Sequence, residues 1–246
     1  MSAVLVIAGV DSSGGAGLAR DLRTLAQLGC EALCAVTAVT VQSDAQLGAL
    51  HLVPAEMVQA QIAAALASGR VTAVKIGMLG DAARVHAVAA ALPAGPTIPI
   101  VLDPVLASSS GGALLDEAGR AALLECLLPR ATLLTPNIPE AAALLGAQPA
   151  CDEDGLIDQA RQLVARGAQA VLLKGGHGAG EEAVDYLVSA ARTVQTLRAP
   201  RQAGTRRGTG CALAAAIAAG LAAGQSLTAA CTRAKQHVTQ LFQPSR

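Results

Sequence analysis

The sequence predicts an α/β fold in which a mostly parallel sheet is flanked by helices. Three observations lead there. Apolar runs of strand length alternate with stretches of helical spacing, the β-α-β-α order of a doubly wound sheet. The runs end in Gly-, Asp- or Pro-bearing loops, as strands do at the carboxyl edge of such a sheet. Of the 246 residues, 52% are hydrophobic but only 1% aromatic, so the core is built from Ala, Val, Leu and Ile with helices packed close.

In chain order, Ala3 to Ala8 reads as a buried parallel strand. It runs into Gly9-Val10-Asp11-Ser12-Ser13-Gly14-Gly15-Ala16-Gly17, which leads to a helix over Leu18 to Leu28. Asp21 stands one turn inside that helix, where it either complements the dipole or turns back toward a pocket. Glu31 to Thr40 is a second strand, and Gln42 follows at the same sheet edge, as an exposed loop residue or a pocket amide. Pro54 to Ser68 is a helix with Pro at its start. Val71 to Ile76 is a strand, Asp81 to Leu92 a helix, and Ile98 to Leu102 a strand that Asp103-Pro104 stops. Asp103 is then either a turn residue or a carboxylate placed for magnesium chemistry.

Asp116 to Leu128 is a helix and Thr132 to Leu134 a short strand, before a helix over Glu140 to Leu145. Asn137 and Glu140 have the spacing of a capping box and also flank the sheet edge. A helix over Asp154 to Arg166 and a strand over Ala170 to Leu173 precede Lys174-Gly175-Gly176-His177-Gly178, a surface turn or a backbone-exposing loop along a nucleotide. Ala183 to Val188 and Thr193 to Leu197 form a hairpin through Ser189-Ala190-Ala191-Arg192. Two helices close the chain, Ala212 to Ala223 and Ser226 to Phe242, the second carrying Lys235. With no linker, low-complexity tract or internal repeat, residues 1–246 read as one domain.

Between hairpin and helices lies Gly204-Thr205-Arg206-Arg207-Gly208-Thr209-Gly210-Cys211. Glycines two apart at the start of a helix let a ligand approach bare N–H groups, and the helix dipole favours negative charge there. The alternative is an ordinary Gly-rich turn before a packed helix. The same field is expected to lower the thiol pKa of Cys211, making it available as base or nucleophile.

Other classes are excluded or disfavoured. Formal net charge is zero and no basic patch carries interleaved aromatics, which argues against nucleic acid. There is neither a dinucleotide G-x-G-x-x-G nor a P-loop. The six cysteines (30, 34, 126, 151, 211, 231) show no C-x-x-C and no metal spacing, as free thiols in a reducing cytosol would. Ala3 to Val10 lacks a basic n-region, and Ala212 to Ala223 falls short of the ~20 apolar residues of a membrane span. A cytoplasmic protein without membrane contact is expected.

Five stretches carry a resemblance. They are Ile7-Ala8-Gly9 with Asp11 to Gly17 and Asp21-Leu22; Lys75-Ile76-Gly77-Met78-Leu79; Val101-Leu102-Asp103-Pro104-Val105; Thr135-Pro136-Asn137-Ile138-Pro139-Glu140-Ala141; and Lys174-Gly175-Gly176-His177. With Gly208-Thr209-Gly210-Cys211, the chain from Ile7 to about Val238 resembles the ribokinase-like kinases. Within them it resembles the hydroxymethylpyrimidine/phosphomethylpyrimidine kinases of thiamine synthesis, which place Cys where most ribokinase-like enzymes place Asp. The resemblance implies a three-layer α/β/α fold with a small hairpin in the C-terminal third. It implies ATP-dependent phosphorylation of 4-amino-5-hydroxymethyl-2-methylpyrimidine and of its monophosphate.

For individual residues the resemblance implies a pyrimidine pocket of Gly9, Asp21, Gln42, Met78 and Val105. It implies Mg²⁺ and phosphate work for Asp103, Asn137 and Glu140, and ATP contacts at Lys174 and Lys235. It implies an anion hole over Gly208, Thr209 and Gly210, with Cys211 as base, in a homodimer. Three positions depart from the pattern: Gln42-Ser43-Asp44 for Gln-Asn-Thr, Ser109-Ser110-Gly111 where a Lys commonly precedes Ser-Gly, and Arg207 for His. The missing Lys puts the second transfer in question, and Arg207 is the candidate replacement. A pyridoxal-type kinase, or a non-catalytic small-molecule-binding protein on the same scaffold, are the alternatives.

Overall fold

The structure is a computed structural model that describes residues 3–43, 46–95, 97–108, 111–175, 181–191, 193–202, 204 and 206–242. Asp44, Ser109, Ser110, Gly176, His177, Gly178, Arg192 and Thr205, all named above, lie outside the described residues.

Nine strands form one sheet in the order β3-β2-β1-β4-β5-β6-β7-β8-β9. Six are parallel: β1 (Ala3–Asp11), β2 (Glu31–Gln42), β4 (Val71–Ile76), β5 (Ile100–Leu102), β6 (Leu133–Leu134) and β7 (Ala170–Lys174). One antiparallel strand, β3 (Leu47–Leu52), borders β2, and the hairpin β8 (Glu182–Ser189) with β9 (Val194–Pro200) borders β7. Pro200 suits an edge strand, where no ladder N–H is needed.

Side chains alternate across a strand, and β1 shows what that does here. Leu5 and Ile7 face one layer with α2 (Ala55–Ala67), α3 (Ala82–Ala91), α5 (Ile138–Leu145) and α6 (Glu153–Ala165). Val4, Val6 and Ala8 face the other, with α1 (Gly17–Gln27), α7 (Thr209–Ala222) and α8 (Leu227–Gln240). Both faces are covered, so the central strands are continuous apolar runs. Helix α4 (Glu117–Ala122), in the first layer, continues into a wide turn at Leu123–Leu127 and a tight one at Leu128–Arg130.

α7 runs through the middle of its layer. Every residue from Ala212 to Ala219 is buried, because six alanines keep the helix slim enough to seat between the sheet, α1 and α8. The helix begins three residues earlier than its apolar run suggests, so Thr209, Gly210 and Cys211 form its first turn. β3 escapes the sequence reading because four of its six residues are exposed and Gly48 interrupts its alternation. Among the described residues no helix is long and apolar enough to cross a membrane.

Candidate active site

The parallel strands deliver the candidate residues at or just past their carboxyl ends, and α7 points its first turn at the same edge. Asp103 follows β5 directly and Lys174 ends β7, with Lys174 Nζ 3.2 Å from Asp103 Oδ1. Thr135, after β6, donates its hydroxyl to the same oxygen at 3.2 Å. Glu140 Oε2 stands 4.0 Å from Lys174 Nζ. Burial raises the Glu140 pKa, Lys174 opposes this, and Asp103 adds to it. Lys174 keeps its charge: burial disfavours it, but Asp103 and Glu140 more than compensate.

The capping-box reading of Asn137 and Glu140 holds, and the same geometry brings Glu140 near Lys174. Glu140 N–H donates to Asn137 Oδ1 at 2.8 Å, and Asn137 N–H to Glu140 Oε2 at 2.8 Å. This capping box fixes the start of α5 and fixes the Glu140 carboxylate beside Lys174. Among the described residues no group of three or more His, Cys, Asp and Glu gathers to cage a metal. Two carboxylates around one ammonium are instead the donor set that suits Mg²⁺, which takes one or two carboxylates, water and substrate phosphates.

Against this cluster lies the glycine turn. Gly208 adopts φ +74°, and a methyl group there would meet Gly15 O at 2.3 Å. Only glycine closes that contact between the turn and the loop after β1. A methyl group on Gly210 would sit 3.2 Å from Lys174 Nζ and 3.9 Å from Asp103 Oδ2. The first turn of α7, with its unpaired N–H groups, thus abuts the Lys174–Asp103 pair directly.

Cys211 corrects an expectation. Burial pushes its thiol up to about 11 instead of down. Lys75 pulls against this, Asp21 and Asp103 push it further, and the Gly17 N–H that hydrogen-bonds the sulfur pulls it back. The helix dipole is worth about half a charge. Enclosure and two full carboxylate charges outweigh it.

Asp21 is also corrected. It does not open onto a pocket: its Oδ2 is 2.7 Å from Lys75 Nζ, and neither side chain is exposed. Burial pushes Asp21 up to about 6 and Lys75 pulls it down. Burial works against the Lys75 charge too, but Asp21, then Cys211 and Asp103, hold it in place. Asp21 Oδ1 is buried without a hydrogen-bond partner. Sequence reasoning quoted Lys75 only as part of a motif. A lysine in an otherwise apolar buried strand was the signal, because such a charge needs a partner.

Of the remaining residues, Gly9, Met78 and Val105 meet, and Gln42 stands apart from them, hydrogen-bonded to Ser12 and Thr40. Met78 packs with Ala38, Leu114 and Val105 in a small apolar cluster apart from the two main layers. A methyl group on Gly9 would lie 2.7 Å from Met78 Sδ, so Gly9 is the space that the methionine occupies. Gln42, half-buried at the end of β2, has its backbone N–H on Ser12 Oγ at 2.9 Å and its side-chain oxygen 3.3 Å from Thr40 Oγ1.

Two basic residues are not free cations. Lys235 donates to Asp185 Oδ2 at 2.7 Å, and Asp185 Oδ1 accepts from Gly175 N–H at 3.0 Å. Lys235 therefore braces the start of the Lys174-Gly175 loop. Its stem also lines a groove of about 460 Å³ between β9 and α8, with Thr196, Arg198, Thr232, Gln236 and Thr239. Arg207 is committed to Asp11 Oδ2 (3.0 Å), Ser13 Oγ (3.1 Å) and Ser43 O (2.9 Å). It locks the glycine turn to the loop after β1.

Known proteins bear on this arrangement. The family model for phosphomethylpyrimidine kinase matches residues 11–245. The hydroxymethylpyrimidine/phosphomethylpyrimidine kinase of Escherichia coli K12 is 40% identical over 210 residues, 85% of this chain and 79% of that one. The crystal structure of phosphomethylpyrimidine kinase from Clostridium difficile 630 superposes with a TM-score of 0.86 at 32% identity, over 99% of this chain and 100% of that one. A Bacillus subtilis pyridoxal kinase, solved as an ADP complex, superposes with a TM-score of 0.90 at 30% identity, over 100% of this chain and 93% of that one. The chain spans only 28% and 48% of two longer similar proteins, thiamine biosynthesis multifunctional and bifunctional proteins of Corynebacterium efficiens and Geobacter sulfurreducens.

Proposed function

The chain belongs to the phosphomethylpyrimidine kinase family, and from that premise we propose that it phosphorylates 4-amino-5-hydroxymethyl-2-methylpyrimidine with ATP, then its monophosphate, in thiamine biosynthesis. The observation that carries this reading is the seat of Gly210 against Lys174 and Asp103, which puts anion-binding N–H groups, a fixed ammonium and a carboxylate around one point. Phosphoryl transfer asks mainly for positioning and charge stabilisation, and these groups supply both.

Each residue then has a task. The N–H groups of Gly208 to Cys211 and the Lys174 ammonium hold the oxygens of the transferring phosphoryl group. Asp103 and Glu140 would hold Mg²⁺, which would neutralise phosphate charge. Asn137 keeps Glu140 oriented. The nucleotide lies along Lys174-Gly175 toward the β9–α8 groove, braced by Lys235. Gly9, Met78 and Val105 form the faces of the acceptor pocket and Gln42 its polar edge, while Asp21 acts through Lys75.

Cys211 takes the hydroxymethyl proton as the oxygen attacks, and forms no covalent intermediate. Its thiol is mostly protonated in the unliganded chain. Neutralising Asp103 removes one of the charges that oppose thiolate, and so brings the thiol nearer its ordinary range. One domain over residues 1–246, a cytoplasmic location and a homodimer belong to the same proposal. Val39, Val41 and Leu50, exposed at the β2–β3 edge, offer the dimer an apolar surface.

ADP release with Mg-ATP, measured first with the hydroxymethylpyrimidine and then with its monophosphate, tests the proposal. Turnover of both is expected, and turnover of neither overturns it. The likeness to a pyridoxal kinase gives the second reading, and turnover of pyridoxal exceeding that of the pyrimidine would favour it.

A further inference from the structure

Three arginines flank the place where the loop after β1 meets the turn before α7, and none forms an ion pair with a carboxylate among the described residues. Arg20, on α1, is 7% exposed. Its Nε donates to Gly15 O at 3.3 Å, and its Cγ lies 3.2 Å from where a methyl group on Gly208 would be. Arg23, one turn further and exposed, brings Nη2 to 3.9 Å from the corresponding point on Gly14. Arg206, also exposed, donates to Leu241 O at the end of α8.

These groups are close enough to disturb one another. Burial lowers the Arg20 pKa first, then Arg23 and Arg206 lower it further, while Cys211 pulls it up. Arg20 is therefore within electrostatic reach of the candidate base as well as of the two exposed arginines. A largely enclosed cation with two like charges beside it is unfavourable unless an anion joins them. The guanidinium fork matches phosphate oxygens in shape and charge. The neighbouring Arg207 is tied to Asp11, Ser13 and Ser43, so the unmatched charge in this corner belongs to the other three.

We propose that Arg20, with Arg23 and Arg206, holds the phosphate already carried by a phosphate-monoester acceptor, and so governs whether the second transfer occurs. This rests on the kinase reading above. The two transfers differ chemically. In the first, an alcohol oxygen bonds to the γ-phosphorus, the bond from that phosphorus to the bridging oxygen of ADP breaks, and the alcohol proton passes to Cys211. In the second, the attacking oxygen belongs to a phosphate that carries about −1.5 to −2 charge at pH 7. The same bond breaks and ADP leaves, but little or no proton need be removed. The obstacle is the repulsion between two anions. The first transfer needs a base and the second needs positive charge beside the transferring group, and Arg20 packs against Gly208 at the head of the anion-binding turn.

The test compares both acceptors in Arg20→Met, Arg20→Lys, the double variant Arg23→Gln/Arg206→Gln, and Cys211→Ala. Arg20→Met should lower kcat/KM for the monophosphate by about tenfold or more, the worth of a charged hydrogen bond, and leave the alcohol within about threefold. Arg20→Lys should recover part of that loss. The exposed double variant, whose folding is not at risk, should show the same selectivity more weakly. Cys211→Ala should do the reverse, losing the alcohol reaction far more than the monophosphate reaction. Equal loss on both acceptors, or no loss, in both Arg20→Met and the double variant overturns the proposal. Titration calorimetry with inorganic phosphate and no nucleotide reads the arginines separately: wild type should bind it more tightly than Arg20→Met. A wild-type chain that shows this difference yet turns over neither acceptor overturns the kinase reading and leaves the arginine site standing. Equal phosphate binding overturns the arginine site.

Discussion

Lys75 Nζ lies 2.7 Å from Asp21 Oδ2 with both side chains wholly enclosed, and both act electrostatically on Cys211 in the first turn of α7. Burying two charges costs several kcal/mol per ion, and their attraction only offsets that cost. Lys75→Met alone leaves a buried carboxylate unpaired and should cost about 3–5 kcal/mol in urea unfolding. Lys75→Met with Asp21→Val removes both charges and should recover most of that loss. A single variant as stable as wild type would show that the pair is not a coupled buried ion pair.

Asp103 and Glu140 share Lys174, so both should affect Mg²⁺ dependence if they hold the ion. Glu140→Gln can keep the capping box, since Gln serves at that position as Glu does. It should therefore leave thermal stability nearly unchanged while raising the Mg²⁺ concentration for half-maximal rate. Asp103→Asn should lower kcat by about 10²–10³. Wild-type Mg²⁺ dependence in both variants would reduce Glu140 to a helix cap.

Lys235 acts on the nucleotide side at one remove, through Asp185 and the Gly175 N–H. Lys235→Met should raise KM for ATP by about tenfold, the worth of one charged hydrogen bond, with a smaller effect on KM for the acceptor. Asp185→Asn should have the same signature. Equal rises for both substrates would place Lys235 in general packing.

Cys231 gives the protein a pH limit of its own. Burial, with Asp185 adding to it, pushes this wholly enclosed thiol up to about 12. An unfolded thiol titrates near 8.5–9, so above that pH the unfolded chain loses a proton that the folded chain keeps. The stability that this group contributes is fully present below that range. It falls by about 1.4 kcal/mol per pH unit as pH rises toward the folded value. Thermal scans from pH 8 to 10.5 should show a steeper loss of Tm in wild type than in Cys231→Ala. Parallel slopes would contradict the assignment.

The alternation of apolar runs with helical stretches made both layers and all six parallel strands legible, because strands buried on two faces leave an unmistakable pattern. β3 was hidden because an exposed edge strand such as Leu47–Leu52 has little apolar alternation to show. The chemistry-bearing loops were legible from Gly and Asp-Pro, since a glycine such as Gly210, with Lys174 against it, has a visible steric reason. Charge pairing was not legible. Nothing local says that Asp21 turns inward to Lys75, 54 positions away, or that Arg207 closes on Asp11 across 196. The expected shift at Cys211 was reversed first by burial, which no local pattern announces, with Asp21 and Asp103 adding to it.

The central claim is that Cys211 removes the acceptor proton at the first turn of α7, and kcat for the hydroxymethylpyrimidine with Mg-ATP tests it most directly. A positioned base contributes about 10²–10⁴-fold, so Cys211→Ala should lose that much in kcat while KM for ATP stays within about threefold. Cys211→Asp, which puts a carboxylate base at the same point, should retain much of the wild-type rate. Turnover by Cys211→Ala near the wild-type rate would contradict the account and leave the thiol as packing at a helix start.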